Sequence, residues 1–258
     1  MSEPPTLHVP GGRLQRGSTA AEVAACVEEW TPHLIDPAYA GRFRAWILKE
    51  HPRHPVWVRG FRAMAFPVDN AAYAVFCAET GAPRPESLAT GLPGDHPVWG
   101  VAREDAAAYA RWLAARTGRP WRMPREAEWE WMARGPEGRA YPFGARFDTS
   151  RCNTVESGRG ETTPVDAFAG WPSWCGAVDL AGNVEEWTAD RYAPYPGGRF
   201  IADDLTALVG PRYPILRGGS FLLGGDLCRG ARRHGPHPGP QFRVIGFRLV
   251  YDAPAAAA

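Results

Sequence analysis

The chain has 258 residues, 45% of them hydrophobic and 22% charged, and its 29 lysines and arginines against 28 aspartates and glutamates leave a formal net charge of +1. A chain of this length buries roughly 70–75% of its unfolded surface, and a near-neutral balance with no basic stripe argues against nucleic acid or a membrane surface as partner. No run approaches the ~18 apolar residues of a membrane span, the Met1 to Pro5 start has neither the charged nor the apolar region of a signal peptide, and five scattered cysteines without a CxxC pair point to a reducing cytoplasm rather than a disulfide or zinc scaffold.

In chain order, Leu7 to Pro10 is expected as a short strand that turns at Gly11-Gly12. Thr19 to Trp30 has helical spacing, with Val23, Val27 and Trp30 on one face and Ser18 or Thr19 as N-cap. A second short helix is expected at Pro37 to Lys49, and a strand at Val56 to Val58. Asp69 or Asn70 caps a helix to Glu79 that turns Tyr73, Phe76 and Cys77 inward and stops at Gly81. Arg103 to Arg116 is another helix, its first turn acidic at Glu104 and Asp105 and its end marked by Gly118. Pro124 is expected at the first position of a further helix that ends at Gly135.

Beyond Gly135 helical periodicity fades. Short apolar pieces (Val165 to Phe168, Ile215-Leu216, Val244 to Val250) alternate with Gly, Pro and Asn. The 29 glycines and 26 prolines put much of the backbone in turns. The 11 tryptophans, including Trp121, Trp129, Trp131, Trp171 and Trp174, supply the apolar area that holds such a chain together. No Gly/Ser linker or internal repeat interrupts it, so one domain over residues 1–258 is expected, with an Ala255 to Ala258 tail outside the core.

Ten segments then match one family in order. They are Val9 to Gly12 with Gly17-Ser18, Phe66 to Ala71 (FPVDNA), His96 to Val101 (HPVWGV), Trp121 to Glu130 (WRMPREAEWE), Tyr141 to Gly144 (YPFG), Cys152 to Thr154 (CNT), Thr163 to Val165 (TPV), Asp179 to Thr188 (DLAGNVEEWT), Leu216 to Ser220 (LRGGS) and Ile245 to Arg248 (IGFR). The chain resembles the formylglycine-generating enzyme (sulfatase-modifying factor) family over nearly its whole length, apart from an insertion at about 19–50. The resemblance implies an α+β, C-type-lectin-like fold with few regular elements. It implies no single function. The superfamily holds copper-dependent oxidases that make formylglycine, iron-dependent sulfoxide synthases, and non-catalytic binders that include variable proteins of diversity-generating retroelements.

The oxidase chemistry of the family needs two cysteines five residues apart after the Arg-Gly-Gly-Ser motif, because soft Cu(I) wants paired sulfur ligands. Counted from Arg217, these positions are Leu223 and Cys228, so Cys228 would be catalytic only if the chain is an enzyme, and otherwise is a small buried core residue. An iron site would need several histidines. The nearest pairs, His51/His54 and His234/His237, are interrupted by proline, and exposed loop histidines are the plainer reading. Calcium is the cofactor the resemblance favours, with copper or iron only under the oxidase alternative. Asn153 and Thr154, with help near Ser157 and Arg159, would supply one calcium site, and Ala181, Gly182, Val184 and Glu186 the other.

The segment between the two Arg/Gly anchors, Arg217 to Ser220 and Ile245 to Arg248, mixes apolar, basic and acidic residues without a strand's alternation. It is expected to be a displayed loop whose Phe221, Leu222, Leu223, Asp226, Arg232, His234, His237, Phe242 and Arg243 form a ligand face. The functional expectation is a non-catalytic protein that binds a protein or small-molecule ligand there, and the resemblance to variable proteins adds diversification by a retroelement as one version of it. The alternative is a metal-dependent oxidase with an altered site. The 19–50 insertion is expected to be a removable docking element.

Overall fold

In the computed structural model, residues 3–252 are described, so the Ala255 to Ala258 tail lies outside the described residues. The regular elements are β1 (Thr6–Val9), β2 (Gly12–Arg16), α1 (Ala20–Trp30), α2 (Ala40–Leu48), β3 (His54–Val58), β4 (Phe61–Met64), α3 (Asn70–Thr80), α4 (Glu86–Ala89), α5 (Arg103–Thr117), α6 (Glu126–Arg134), β5 (Glu185–Arg191), α7 (Asp204–Val209), β6 (Pro214–Arg217), β7 (Ile245–Gly246) and β8 (Val250–Asp252), joined by short 3-10 turns and long loops. The fold is α+β and loop-rich, with three small sheets. β4 is flanked by β1 and β8, which ties the two ends of the chain together; β2 pairs with β3; and β5 lies between antiparallel β6 and parallel β7.

Local chemistry sets the helix ends. Thr19 and Glu22 form a reciprocal capping box at α1, and Asp69 accepts from the Ala72 amide at α3, each satisfying an amide that a helix start otherwise leaves unpaired. Gly81 and Gly118 end α3 and α5 with φ of 74° and 68°, a region open to glycine. Pro124 is not the first helical residue. α6 starts at Glu126 with Arg125 as its N-cap, because Glu128 reaches back to the Arg125 amide at 2.7 Å. Val165 to Phe168 forms turns, not a strand. β2, β4, β5, α4 and α7 are elements that the sequence pattern did not show.

One core gathers Tyr73, Phe76 and Tyr109 of α3 and α5 against Phe247, and a second puts Trp129 and Trp131 of α6 against β1, β2 and β4. Burying side chains of this size contributes roughly 1.5–3 kcal/mol each. Trp121, Trp129 and Trp131 are core residues as expected, whereas Trp171 is 48% exposed under the Arg151 guanidinium.

The insertion is no appendage. α1 and α2 bury Val23, Cys26, Trp30, Phe43 and Ile47 against Tyr141, Cys152, Ala181 and Cys228. Glu50, fully buried, accepts both ends of the Arg229 guanidinium at 2.9 and 3.0 Å. Removing residues 19–50 would therefore strip a core cluster and orphan a buried arginine, and the idea of a removable docking element is set aside.

Candidate functional site

Two buried arginines frame the segment between β6 and β8. Arg217, at the end of β6, donates to Glu126 and Glu130 of α6 at 2.7 and 3.0 Å. Arg248 clasps Glu186 of β5 at 2.6–2.9 Å, and Glu186 also accepts from Trp129 Nε1 at 2.8 Å. Gly218 and Gly219 then turn the chain with φ of 100° and 71°. A Cβ on Gly219 would meet Leu227 and Cys228 at 3.1–3.4 Å, so the loop doubles back on its own next turn. The strand returns beside β6 through a bridge between Leu216 and His234.

The loop is not a displayed surface. From 221 to 233 every residue is buried except half-buried Leu222. The reason is the insertion, which covers it. Between the two lies a cavity of about 160 Å³. One wall is Leu223, Leu227 and Phe242, which pack together, with Asp226, Arg232, His234 and His237 beside them. Facing them are Leu34, Ile35, Tyr39, Trp46 and Lys49 of the insertion, and α7 closes the side with Asp203, Asp204 and Leu205. Three contacts hold α2 to α7: Trp46 Nε1 donates to Asp204 Oδ1 at 2.8 Å, Arg42 lies 3.5 Å from the same carboxylate, and Lys49 pairs with Asp203.

The structure thus brings together Leu223, Asp226, Arg232, His234, His237 and Phe242 of the expected ligand face. It does not bring in Phe221 and Leu222, which pack on Trp99, Val184 and Val244, nor Arg243, which is exposed and pairs with Glu86 at 3.0 Å. Lys49, Trp46, Arg233 and the residues of α7 were missed. The helical spacing of 37–49 was visible, but nothing local says which wall a helix builds.

Electrostatics divides the cavity. Burial pulls the Lys49 ammonium down to about 8, against the pull of Asp203, and its Nζ donates to Tyr213 Oη at 2.8 Å. Burial pushes the Asp226 carboxyl up, because its partner Arg232 stands off at 3.4 Å. His234 is not a free loop histidine: its Nδ1 is 2.8 Å from Glu185 Oε1, and Phe242 lies against both His234 and His237. Behind the wall, Arg233 donates to Glu126 at 2.7 and 3.1 Å.

Cys228 is 0% exposed and does not line the cavity. Burial, and next the neighbouring Cys152 thiol, raise its pKa well above the ordinary thiol value. That state is the opposite of a reactive thiolate.

The residues expected at the ion sites are committed in different degrees. Asn153 donates to Glu161 O and Asn183 Oδ1 and accepts from Ser157. Thr154 Oγ1 is buried with no hydrogen-bond partner. Gly182, with φ of 75°, sits where a Cβ would be 2.2 Å from Asn153 O, and Ala181 and Val184 are buried beside it. The Glu186 carboxylate is spent on Arg248 and Trp129, which leaves it no free face for an ion. Arg159 lies over the Phe168 ring at 5.5 Å. Among the described residues, no group of three or more His, Cys, Asp or Glu is placed to hold a metal ion, and no helix is long and apolar enough to cross a membrane.

A loop-rich α+β scaffold with a β5–β6 ladder, clamped by Arg217 and Arg248 around a folded-back segment, defines the C-type-lectin-like class built on the formylglycine-generating-enzyme plan. The chain belongs to the sulfatase-modifying factor enzyme 1-like domain family, whose model matches residues 1–253. It is 29% identical to a hercynine oxygenase of Mycolicibacterium thermoresistibile, over 79% of this chain and 53% of that protein. It is 35% identical to a formylglycine-generating enzyme of Streptomyces coelicolor, over 66% of this chain and 58% of that one. The chain therefore spans about half the length of the curated relatives it matches. Among solved structures it shares its fold with PvdO from Pseudomonas aeruginosa (TM-score 0.70, 23% identity, 97% of this chain and 95% of that one). It shares it also with Treponema denticola variable protein 1 (TM-score 0.69, 18% identity, 96% and 95%).

Proposed function

We propose that the chain is a small-molecule-binding protein on this scaffold, its site the cavity between the 223–242 loop and α2. One observation carries the reading: six residues of a single irregular loop converge with the insertion on one recess whose apolar walls stand beside a set of fixed ionisable side chains, the combination of apolar surface and placed polar groups of which ligand pockets are built. A buried loop suits a fixed pocket better than a surface diversified by a retroelement. The test is a ligand-observed NMR screen of small aromatic and aliphatic fragments. Native protein is expected to bind a subset, and Leu223→Trp, which fills the recess, to lose them. Ile35→Trp, at an exposed position on the mouth, does the same with less risk to the fold. Binding that neither variant alters would overturn the proposal.

The same reading keeps a structural calcium ion at the Asn153-Thr154 loop, because Thr154 Oγ1 is a buried oxygen without a protein partner, and such oxygens are what Ca²⁺ collects. Chelation is expected to lower the melting temperature and added calcium to restore it. A melting temperature indifferent to both refutes the ion.

A second reading, a metal-dependent oxidase akin to the two relatives named above, has one observation behind it. Leu223 removes the family's first sulfur ligand, but Cys152 of the CNT segment brings another thiol beside Cys228, and paired sulfurs are the donor set of a soft monovalent ion. Stoichiometric copper that is lost in both Cys152→Ser and Cys228→Ser would favour it. Equal copper content in native protein and variants would rule it out.

A further inference from the structure

Resting on the reading of the cavity as a ligand site, we infer that it takes a small monocarboxylate with an apolar, ring-sized body, and that Arg232 receives the carboxylate. The body follows from size and lining. A cavity of about 160 Å³ compares with the ~150 Å³ that holds a benzene ring, and Trp46, Tyr39, Leu223 and Phe242 supply apolar walls.

The head group follows from charge. Behind the wall, half-buried Arg16 and buried Arg134, Arg217 and Arg233 share two carboxylates, Glu126 and Glu130. Four cations pair with two anions in this cluster, and the Asp190 carboxylate at the Glu126 amide (2.6 Å) and buried Glu185 beside His234 (2.8 Å) offset part of the remaining positive charge. Backbone oxygens of Gly17, Gly230 and Ala193 accept from these guanidiniums, which satisfies N–H groups but does not cancel formal charge. Arg233 carries the rest to the cavity wall.

Next to it, Arg232 is the cation with the weakest hold on an anion. Only its Nε faces Asp226, at 3.4 Å, its Nη1 is spent on Arg233 O, and its Nη2 has no protein hydrogen bond among the described residues. Among the described residues, Asp226 is the one acid facing Arg232, and at 3.4 Å from Nε alone it leaves the rest of the guanidinium uncovered. By contrast Lys49 and Arg42 are matched by Asp203 and Asp204. A guanidinium with an open edge, set beside apolar walls, selects a planar oxyanion by its fork geometry. A ligand cation placed against that open edge would meet the wrong sign.

The experiment is calorimetric titration of the full chain with four probes of one shape: phenylacetate, phenylacetamide, phenethylamine and phenyl phosphate. Phenylacetate is expected to bind at least about tenfold tighter than the amide and the amine, the factor one charge-assisted hydrogen bond supplies. Arg232→Gln is expected to erase that preference by weakening phenylacetate to the level of the amide, and Arg232→Lys, which keeps charge but loses the fork, to erase most of it. Amide or amine binding as tight as phenylacetate, with Ile35→Trp still abolishing it, overturns the carboxylate and leaves the cavity reading standing. Tighter phenyl phosphate overturns the choice of anion. Probe binding that Ile35→Trp does not affect takes down both, and no binding of any of the four probes overturns the carboxylate inference and leaves the cavity reading to the fragment screen.

Discussion

The buried charge cluster makes a sharp prediction about stability. Glu126 is 1% exposed and takes guanidinium hydrogen bonds from three elements: Arg16 of β2 at 2.5 Å, Arg217 of β6 at 2.7 Å, and Arg233 of the cavity loop at 2.7 and 3.1 Å. Burial alone would raise its pKa, but Arg233, Arg16 and Arg217 outweigh that and hold the carboxyl far below the usual range. Glu126→Gln keeps the shape and removes the charge, leaving Arg16, Arg134 and Arg217 to Glu130 alone and Arg233 with no carboxylate partner among the described residues. Breaking a buried pair by removing one partner costs about 3–5 kcal/mol. In a chain of this size, each 1 kcal/mol moves the melting temperature by about 2–4 °C, so a fall of about 6–20 °C is expected by differential scanning calorimetry. The pH dependence checks the cause. A carboxyl whose folded pKa is depressed contributes stability above its unfolded pKa of about 4.3, and that contribution is lost as pH falls toward the folded value. Native protein should therefore lose more stability than the variant between pH 6 and pH 3. A drop in melting temperature no larger than that of the exposed control Glu137→Gln, or identical acid profiles, would refute the reasoning.

Other outcomes follow from the same contacts. Lys49, pulled down to about 8 from 10.5 chiefly by burial, leaves the unfolded chain with the extra proton between those values. Stability should therefore rise with pH across that window by up to roughly 3 kcal/mol, and Lys49→Met should flatten the rise; equal slopes by urea titration at pH 7.5 and 10 count against it. Thr19→Ala removes the α1 capping box and should cost ~1 kcal/mol, seen as a lower urea midpoint. Gly182→Ala forces a Cβ to 2.2 Å from Asn153 O at a φ of 75°, so the chain should fail to reach its native near-ultraviolet dichroism; a folded variant would show that the Asn153–Gly182 crossing yields.

What could be read from the sequence is what is decided within a few residues. Thr19, Asp69, Gly81 and Gly118 mark helix ends because caps and left-handed glycines act on their own turn. β5 shows the opposite case. Its EEWTADR carries no alternation, since Glu185 and Glu186 are buried by partners far along the chain, His234 and Arg248. The candidate site divides the same way. The loop half of the cavity was legible from the framing motifs, but Phe221 and Leu222 turn into the core, and the opposite wall belongs to an insertion whose burying face nothing nearby specifies.

Yet α6 did carry a readable signal that the usual rules conceal. Glu126, Glu130 and Arg134 stand at i, i+4 spacing, which on most helices means a solvated face. In EAEWEWMAR, however, Trp129, Trp131 and Met132 occupy the other sides, so the helix has no polar face to spare. A nine-residue helix that buries its tryptophans on both sides must bury the acids between them, and every residue of α6 except Ala127 is in fact buried. Buried acids need arginines. The chain places them at Arg16, Arg217 and Arg233, of which the last stands in the cavity wall. Acids packed among tryptophans are thus a sequence cue for where a protein's interior charge gathers, and here that charge lies directly behind the candidate site.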